Sequence, residues 1–495
     1  MSKAAMNRFN RKIMRAWAEA GTRYMPFADV TTPDLPLGKL LRLSLFQVSV
    51  GMALVLLVGT LNRVMIVELD VPASLVGIML ALPLAFAPFR ALIGHRSDTH
   101  RCELGWRRVP FMWNGTLAQF GGFTIMPFAI LVLAGEGEAA TAPVWVGYIS
   151  AALAFLLVGA GVHVTQTAGL ALATDLTPPE SHARVVGLMY VMQLLGMIAT
   201  ALIFGAALAN FSPGRLIQVI QGAAVATVAL NLLSLWKQET RRPPRGAVIT
   251  ADDDPTFSES WAQFCAGGSA VLRLAVVGLG TMAFNMADVL LEPFGGEVLA
   301  LSVSYTTKLT ALFAVGGLTG FGFAVWVTQR GAGAYRVARA GVLLGLPAFA
   351  LVIASVPSGL LPFFLVGNFL IGFGGALFAH GTLTATMNRA PREQAGLALG
   401  AWGAVQATAA GLALAFSGTI RDIATVALAG VPVPWGFAGA AAGYGVVYAI
   451  EIVLLLLTIG ATVPLLRRHR GDGGGNAVAF DTPPAGLEPS RGTTG

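Results

Sequence analysis

Twelve apolar stretches, each long enough to cross a bilayer, leave few folds open to this chain. They run at roughly 43–68, 73–94, 109–134, 144–173, 183–209 and 214–236. After a polar interval they resume at 271–294, 302–327, 337–356, 360–387, 394–418 and 436–466. About 20 apolar residues span the hydrocarbon core as a helix. At 55% hydrophobic and 12% charged, the chain of 495 residues has too few charges to cover a soluble surface. Its 60 glycines fall inside the apolar runs, where small residues let helices approach closely. The expectation is an all-α polytopic membrane protein.

One stretch occurs twice. Leu156–Gln193 and Phe369–Gln406 align without gaps, matching Gly159 with Gly372, Gly161 with Gly374 and Leu170 with Leu383. Asp175 meets Asn388, Pro178 meets Pro391, Glu180 meets Glu393, Gly187 meets Gly400 and Gln193 meets Gln406. Each copy reads as an apolar helix, a polar elbow with a proline, and a second apolar helix. A shared elbow at a constant offset points to duplication rather than to chance likeness of two Gly/Ala-rich pairs. Two repeated six-helix halves with a site between them near the midplane are the build of many secondary transporters.

The expected divisions are a basic segment at 1–42, a six-helix bundle at 43–236, a linker at 237–270, a second bundle at 271–466 and a Gly/Pro-rich, disordered tail at 467–495. Met6–Ala20 reads either as a basic amphipathic helix on the membrane surface or as a plain tail. The net charge of +7 does not indicate nucleic acid, because Lys and Arg punctuate apolar segments instead of forming a face. Most of them fall at the termini and in alternate loops, while Glu136, Glu138, Glu297 and Asp422 are assigned to the opposite loops. The positive-inside rule then puts both termini in the cytoplasm. Cys102 and Cys265 show neither a disulfide framework nor a metal spacing.

Ionisable residues inside membrane segments are costly and are functional candidates by default. Arg63 and Glu68 lie near the outer end of the first segment. Asp288 and Glu292, four residues apart, share one face of the seventh. Glu451 sits mid-way along the twelfth, lining a lateral opening or simply protonated. His163 and His380 lie on the fourth and tenth, about one turn apart under the repeat, and either imidazole can offer a ligand to a metal. Each also has a structural reading: a histidine bonded to a neighbouring helix, or acids tied with Arg63 into a network closing the outer end. Gln47, Gln119, Gln166, Gln193, Asn285, Asn368 and Gln406 are expected to bridge helices. Phosphate loops, metal clusters and nucleophile elbows are absent from the sequence in plausible context, so no enzyme is expected.

Gly94-His95-Arg96-Ser97-Asp98 with Arg107-Arg108, and the Asp175-x-x-Pro178-x-Glu180-x-x-x-Arg184 elbow, resemble loop signatures of the major facilitator superfamily. Asp98, Arg107, Arg108, Asp175 and Arg184 are therefore gating or topology candidates, latching helix ends through their dipoles. Leu43–Met52, Leu61–Leu69, Arg90–Asp98 and Asp288–Gly296 together resemble the bacteriochlorophyll-delivery (PucC/LhaA) branch of that superfamily, over about residues 25–466. The resemblance implies the major facilitator fold: twelve transmembrane helices in two six-helix halves, both termini cytoplasmic. It also implies residence in the inner, intracytoplasmic photosynthetic membrane of a bacterium. The implied role is delivery of bacteriochlorophyll, a transient cargo, to light-harvesting antenna α and β polypeptides. Bacteriochlorophyll synthase and the insertion machinery are further candidate partners. His163 or His380 would be the axial ligand to the pigment magnesium, with Asp288, Glu292, Glu451, Arg63 and Glu68 as cavity candidates. The competing reading is a proton-coupled major-facilitator carrier of a small solute, with Asp288 or Glu292 as proton site.

Overall fold

The computed structural model describes residues 37–86, 97, 106–178, 181–239, 270–389, 395–431, 437 and 439–471. Within them the chain forms twelve helices. These are α1 (Leu37–Glu68), α2 (Ala73–Ala81, continued by a 3₁₀ turn Leu82–Phe86), α3 (Val109–Ala134) and α4 (Val144–Asp175). They continue as α5 (His182–Ala207), α6 (Pro213–Leu235), α7 (Ala270–Glu297) and α8 (Val303–Gln329). The last four are α9 (Ala334–Ser358), α10 (Leu361–Arg389), α11 (Ala395–Ala427) and α12 (Ala440–Gly471). Eleven are long and apolar enough to cross a membrane; the described part of α2 is shorter.

The boundaries move outward from those expected. Helix α1 begins at Leu37, inside the segment assigned to the N-terminal tail, and α12 stays helical to Gly471, inside the assigned C-terminal tail. Helix α11 runs to Ala427, so Asp422 is a helical residue rather than a loop acid. Polar residues can extend a membrane helix beyond the hydrocarbon layer, where hydropathy no longer marks it. The amphipathic reading of Met6–Ala20, most of the linker, both cysteines, Asp98 and Glu180 lie outside the described residues.

The duplicated glycines explain how each half packs. In the first half α3 packs on α4, and in the second α9 packs on α10. A Cβ on Gly161 would stand 2.5 Å from the carbonyl of Gly115 on α3. A Cβ on its repeat partner, Gly374, would stand 2.8 Å from the carbonyl of Gly341 on α9. Gly159 meets Pro83 after α2, and its partner Gly372 meets the backbone of Phe313 on α8. Without side chains at these crossings the backbones touch, which is how helices associate in lipid, where burial of apolar surface gives little drive. Between the halves, α5 packs on α8 and α2 on α11, and α1 packs on both α7 and α8.

Candidate functional site

The interhalf site is built around an irregular stretch of α1. Val55–Leu61 and Val64–Glu68 are π-helical. Such turns are rare and often mark functional positions, because each adds a residue and re-aims the next turn of the helix. They aim Gly59, Asn62 and Arg63 at the second half. Asn62 donates to the carbonyl of Val289 on α7 at 2.6 Å, and Thr60 bonds Thr307 on α8 at 3.3 Å. Arg63 is buried, pairs with Glu68, and donates to the carbonyl of Leu301 at 3.2 Å. A Cβ on Gly296 would stand 2.8 Å from that guanidinium.

Beside this seam lies a cavity of about 320 Å³. Leu54, Val58, Met197, Leu291, Leu309 and Phe313 make most of its wall. Asn285, Asp288, Glu292, Thr310 and Asn368 are the polar groups facing it. Glu292 is buried and accepts from the Thr310 hydroxyl with one carboxyl oxygen. The other oxygen has no hydrogen-bond partner among the described residues. Gly59 makes room for that carboxylate, since a Cβ there would collide with it. Glu292 also interacts electrostatically with Arg63. Asn368 is committed to the carbonyl of Leu309 at 2.9 Å, and Asn285 to that of Thr281 at 2.8 Å. Asp288, half-buried on the cavity wall, lies one turn from Glu292 on α7.

Glu451 is fully buried on α12, against α7. It interacts electrostatically with Asp288 and Tyr448, and the backbone of Ala287 on α7 lies beside it. Neither carboxyl oxygen makes a hydrogen bond of normal geometry among the described residues. Of the two readings offered for Glu451, lining a lateral opening or being protonated, its burial against α7 does not fit the first. Where α12 meets α7, Tyr444 and Tyr448 meet the edge of Phe294, each with ring centroids 5.5 Å apart.

A second network sits at the same end of the molecule as Glu68. Arg421 on α11 pairs with Glu297 at the end of α7, and with its neighbour Asp422 at 2.9 Å. Asp422 also accepts from the backbone N–H of Ser74 at 2.7 Å, satisfying an orphan donor in the first turn of α2. Tyr444 donates to Glu297 at 2.7 Å, and Arg421 lies 4.8 Å over the Tyr444 ring. Ser304 donates across the halves to Gly205 at 2.5 Å. Among the described residues, the hydrogen bonds tying the halves together cluster at this Glu68 end.

The loop signatures meet at the other end. Arg107 and Arg108 both reach Asp175, at 2.9 and 3.0 Å, and Arg108 donates to Ser97 at 2.5 Å. Glu239, which sequence reasoning passed over, accepts from the backbone N–H groups of Arg107, Arg108 and Val109 at 2.8–3.2 Å. A carboxylate at the start of α3 satisfies orphan donors and complements the helix dipole. Arg184 is exposed near the start of α5.

The two histidines lie away from the cavity. His163, half-buried, shares a face of α4 with Gly159, the residue against Pro83. His380 packs edge-on to Phe321 of α8 at 5.4 Å and lies 3.4 Å from Thr384. The structure thus brings together Asp288, Glu292, Arg63 and Glu68, sets Glu451 behind them, and leaves His163 and His380 outside. Thr310 and Gly59 were missed. The polar run Tyr305-Thr306-Thr307-Lys308-Leu309-Thr310 inside an apolar segment was the available signal.

The sequence matches the family described as PUCC protein over residues 60–470. It is 58% identical to "Protein PucC" of Rhodovulum sulfidophilum over 418 residues, 84% of this chain and 92% of that one. It is 56% identical to "Protein PucC" of Cereibacter sphaeroides over 447 residues, 90% and 96% of the two chains. The fold resembles the inward-facing, unoccupied crystal structure of a bacterial homolog of the human lysosomal transporter Spinster. That match has a TM-score of 0.63, is 16% identical, and covers 88% of this chain and 98% of that one. At that identity the likeness speaks to fold alone, and the fold is that of the major facilitator superfamily. In architecture a multi-pass major-facilitator membrane protein, the chain belongs by sequence to the PucC protein family.

Proposed function

We propose that this protein is a non-enzymatic factor that binds bacteriochlorophyll and delivers it to antenna α and β polypeptides in the photosynthetic membrane. The supporting observation is the chemistry of the interhalf cavity: a mostly apolar wall with a few polar groups, two of them carboxylates, on one side. A flat, apolar pigment with a polar edge and a magnesium ion suits such a wall, whereas a sugar or nucleoside would meet too few hydrogen-bonding groups. The cavity in this state is smaller than a tetrapyrrole with its tail, so full occupancy requires the halves to part. They are held together chiefly at the Glu68 end, leaving the other end as the side that opens. With both termini cytoplasmic, as the distribution of Lys and Arg suggests, that opening faces the cytoplasm.

Magnesium prefers oxygen or imidazole donors. Asp288 and Glu292 are the donors facing the cavity, and His163 and His380 would require a second binding position. The test is an absorption spectrum of the gently solubilised, full-length protein, with antenna accumulation measured in a deletion strain. A bacteriochlorophyll band that is reduced in Asp288→Asn and Glu292→Gln supports the proposal. Colourless protein, together with normal antenna loading in the deletion strain, sinks it. The two cavity carboxylates also leave room for proton-coupled solute transport. Substrate flux in pigment-free vesicles that collapses with the proton gradient would favour that reading.

A further inference from the structure

A second concavity, on the lipid-facing side of the first half, has no part in the interhalf site. It lies between α3 and α6 at their Arg107 end and measures about 630 Å³, larger than the central cavity. Trp106, Trp113 and Trp236 line it with Val109, Leu232 and Leu235, and Lys237, Gln238 and Glu239 close one end. The wall is fixed from both sides. Lys237 is in the left-handed region at φ 53°, unusual for a residue with a side chain, and ends α6 with a sharp turn. The turn returns Glu239 beneath the first N–H groups of α3, which it caps, while Gln238 donates to the carbonyl of Lys39 at 3.1 Å.

We propose that this tryptophan-lined groove is a docking site for a neutral, flat tetrapyrrole taken up sideways from the bilayer. The inference rests on the pigment reading above and places a second, peripheral position for it. Four features select this occupant. Val109 and Trp113 lie one helical turn apart on α3, roughly 6 Å, with Trp106 just ahead of the helix. That short wall suits the edge of a macrocycle but is a fraction of the ~30 Å a transmembrane helix would need to lie along. The charges of Lys237 and Glu239 balance, and the α3 N–H groups that would bind a phosphate are already occupied by Glu239. An anionic lipid headgroup would therefore meet a carboxylate instead of free donors. Indole faces stack on flat π systems, which acyl chains do not exploit. Gln238 commits its amide nitrogen to Lys39, leaving its oxygen as a neutral, hard donor of the type magnesium accepts.

The experiment adds bacteriochlorophyll a to full-length protein in pigment-free nanodiscs and monitors quenching of tryptophan fluorescence and the pigment's induced circular dichroism. The expected result is that Trp113→Leu with Trp236→Leu weakens binding about tenfold. Trp113→Phe with Trp236→Phe should restore most of it, since a ring remains, which separates stacking from misfolding. Trp326→Leu, at an exposed tryptophan outside both the groove and the central cavity, should leave this binding intact. Binding unchanged in the double leucine variant, or lost equally in Trp326→Leu, overturns the groove while leaving the pigment reading standing. Retention of phospholipid that depends on the same tryptophans, with pigment unaffected, overturns it as well. If the wild-type protein binds no pigment, the proposed function fails together with the groove.

Discussion

In the first half, Asn231 sits between Ser49 and Thr116, accepting from one at 2.7 Å and donating to the other at 2.9 Å. In the second half, Glu451 is as deeply buried, yet neither of its oxygens finds such a partner among the described residues. The contrast extends beyond two residues. Helices α1, α3, α4, α5 and α6 are joined by neutral amides and hydroxyls. Gln166 donates to Gln193 at 3.0 Å and to Gln47 at 3.3 Å, and Gln119 donates to Thr165 at 3.0 Å. Around α7 the interior instead combines carboxylates with rings. Phe294 contacts Phe364, Tyr444 and Tyr448, and Phe284 contacts Phe349 and Phe378. The repeats thus share their glycine crossings while their interiors differ in chemistry. The neutral network joins its helices even with Gln47 Nε2 and Gln119 Oε1 unpaired among the described residues, and it buries no charge, whereas under-partnered acids leave capacity for something else.

The largest expected effect tests the shared part. Gly115→Leu and Gly341→Leu each force a side chain into a backbone crossing, where even a Cβ would lie 2.8 Å or less from the partner helix. Each should destabilise its half by at least ~1–3 kcal/mol, read as loss of monodisperse protein in detergent. A severe effect in one half only would break the equivalence of the crossings. Next is Asn231→Leu, which removes one partner each from Ser49 and Thr116, whose hydroxyls keep the carbonyls of Phe46 and Met112, and should cost about 1–2 kcal/mol. Thermal unfolding in detergent measures it.

Glu451→Gln sharpens the contrast. Removing a buried ionisable group that makes no normal hydrogen bond should leave the melting temperature unchanged or raised. A fall as large as that of Asn231→Leu would mean that Glu451 is bonded as fully as the neutral network. The smallest loss of stability is expected at Asp422→Ala. It removes one partly exposed cap on α2 and should lower stability by about 0.5–1 kcal/mol. Its clearer signature is easier separation of the halves, measured as a wider spin-label distance between the start of α2 and the end of α11.

Much of this was readable from residues alone. The twelve helices emerged from apolar lengths, and the repeated Gly159/Gly161 and Gly372/Gly374 pairs marked helix crossings that the structure places on α2, α3, α8 and α9. The acids of α7 were identified as neighbours because a four-residue spacing fixes a shared face. The partner of each acid was not readable. Thr310 for Glu292, α7 for Glu451 and Ser74 for Asp422 depend on how distant helices are rotated about their axes. The π-helical turns of α1 deepen the difficulty, because one extra residue rotates the rest of the helix by about 100° relative to an α-helical count.

What the sequence determined by itself is the lipid-spanning class, the duplication and the positions at which ionisable groups lie within apolar segments. Lipid enforces these through local rules: backbone satisfaction within each helix, span length and the cost of charge. Only the tertiary structure decided that the histidines stand apart from the acid-lined cavity, that Glu451 turns inward, and that three tryptophans on or beside the ends of α3 and α6 line one groove. Those outcomes depend on contacts between segments far apart in the chain, which close packing selects and local periodicity does not encode.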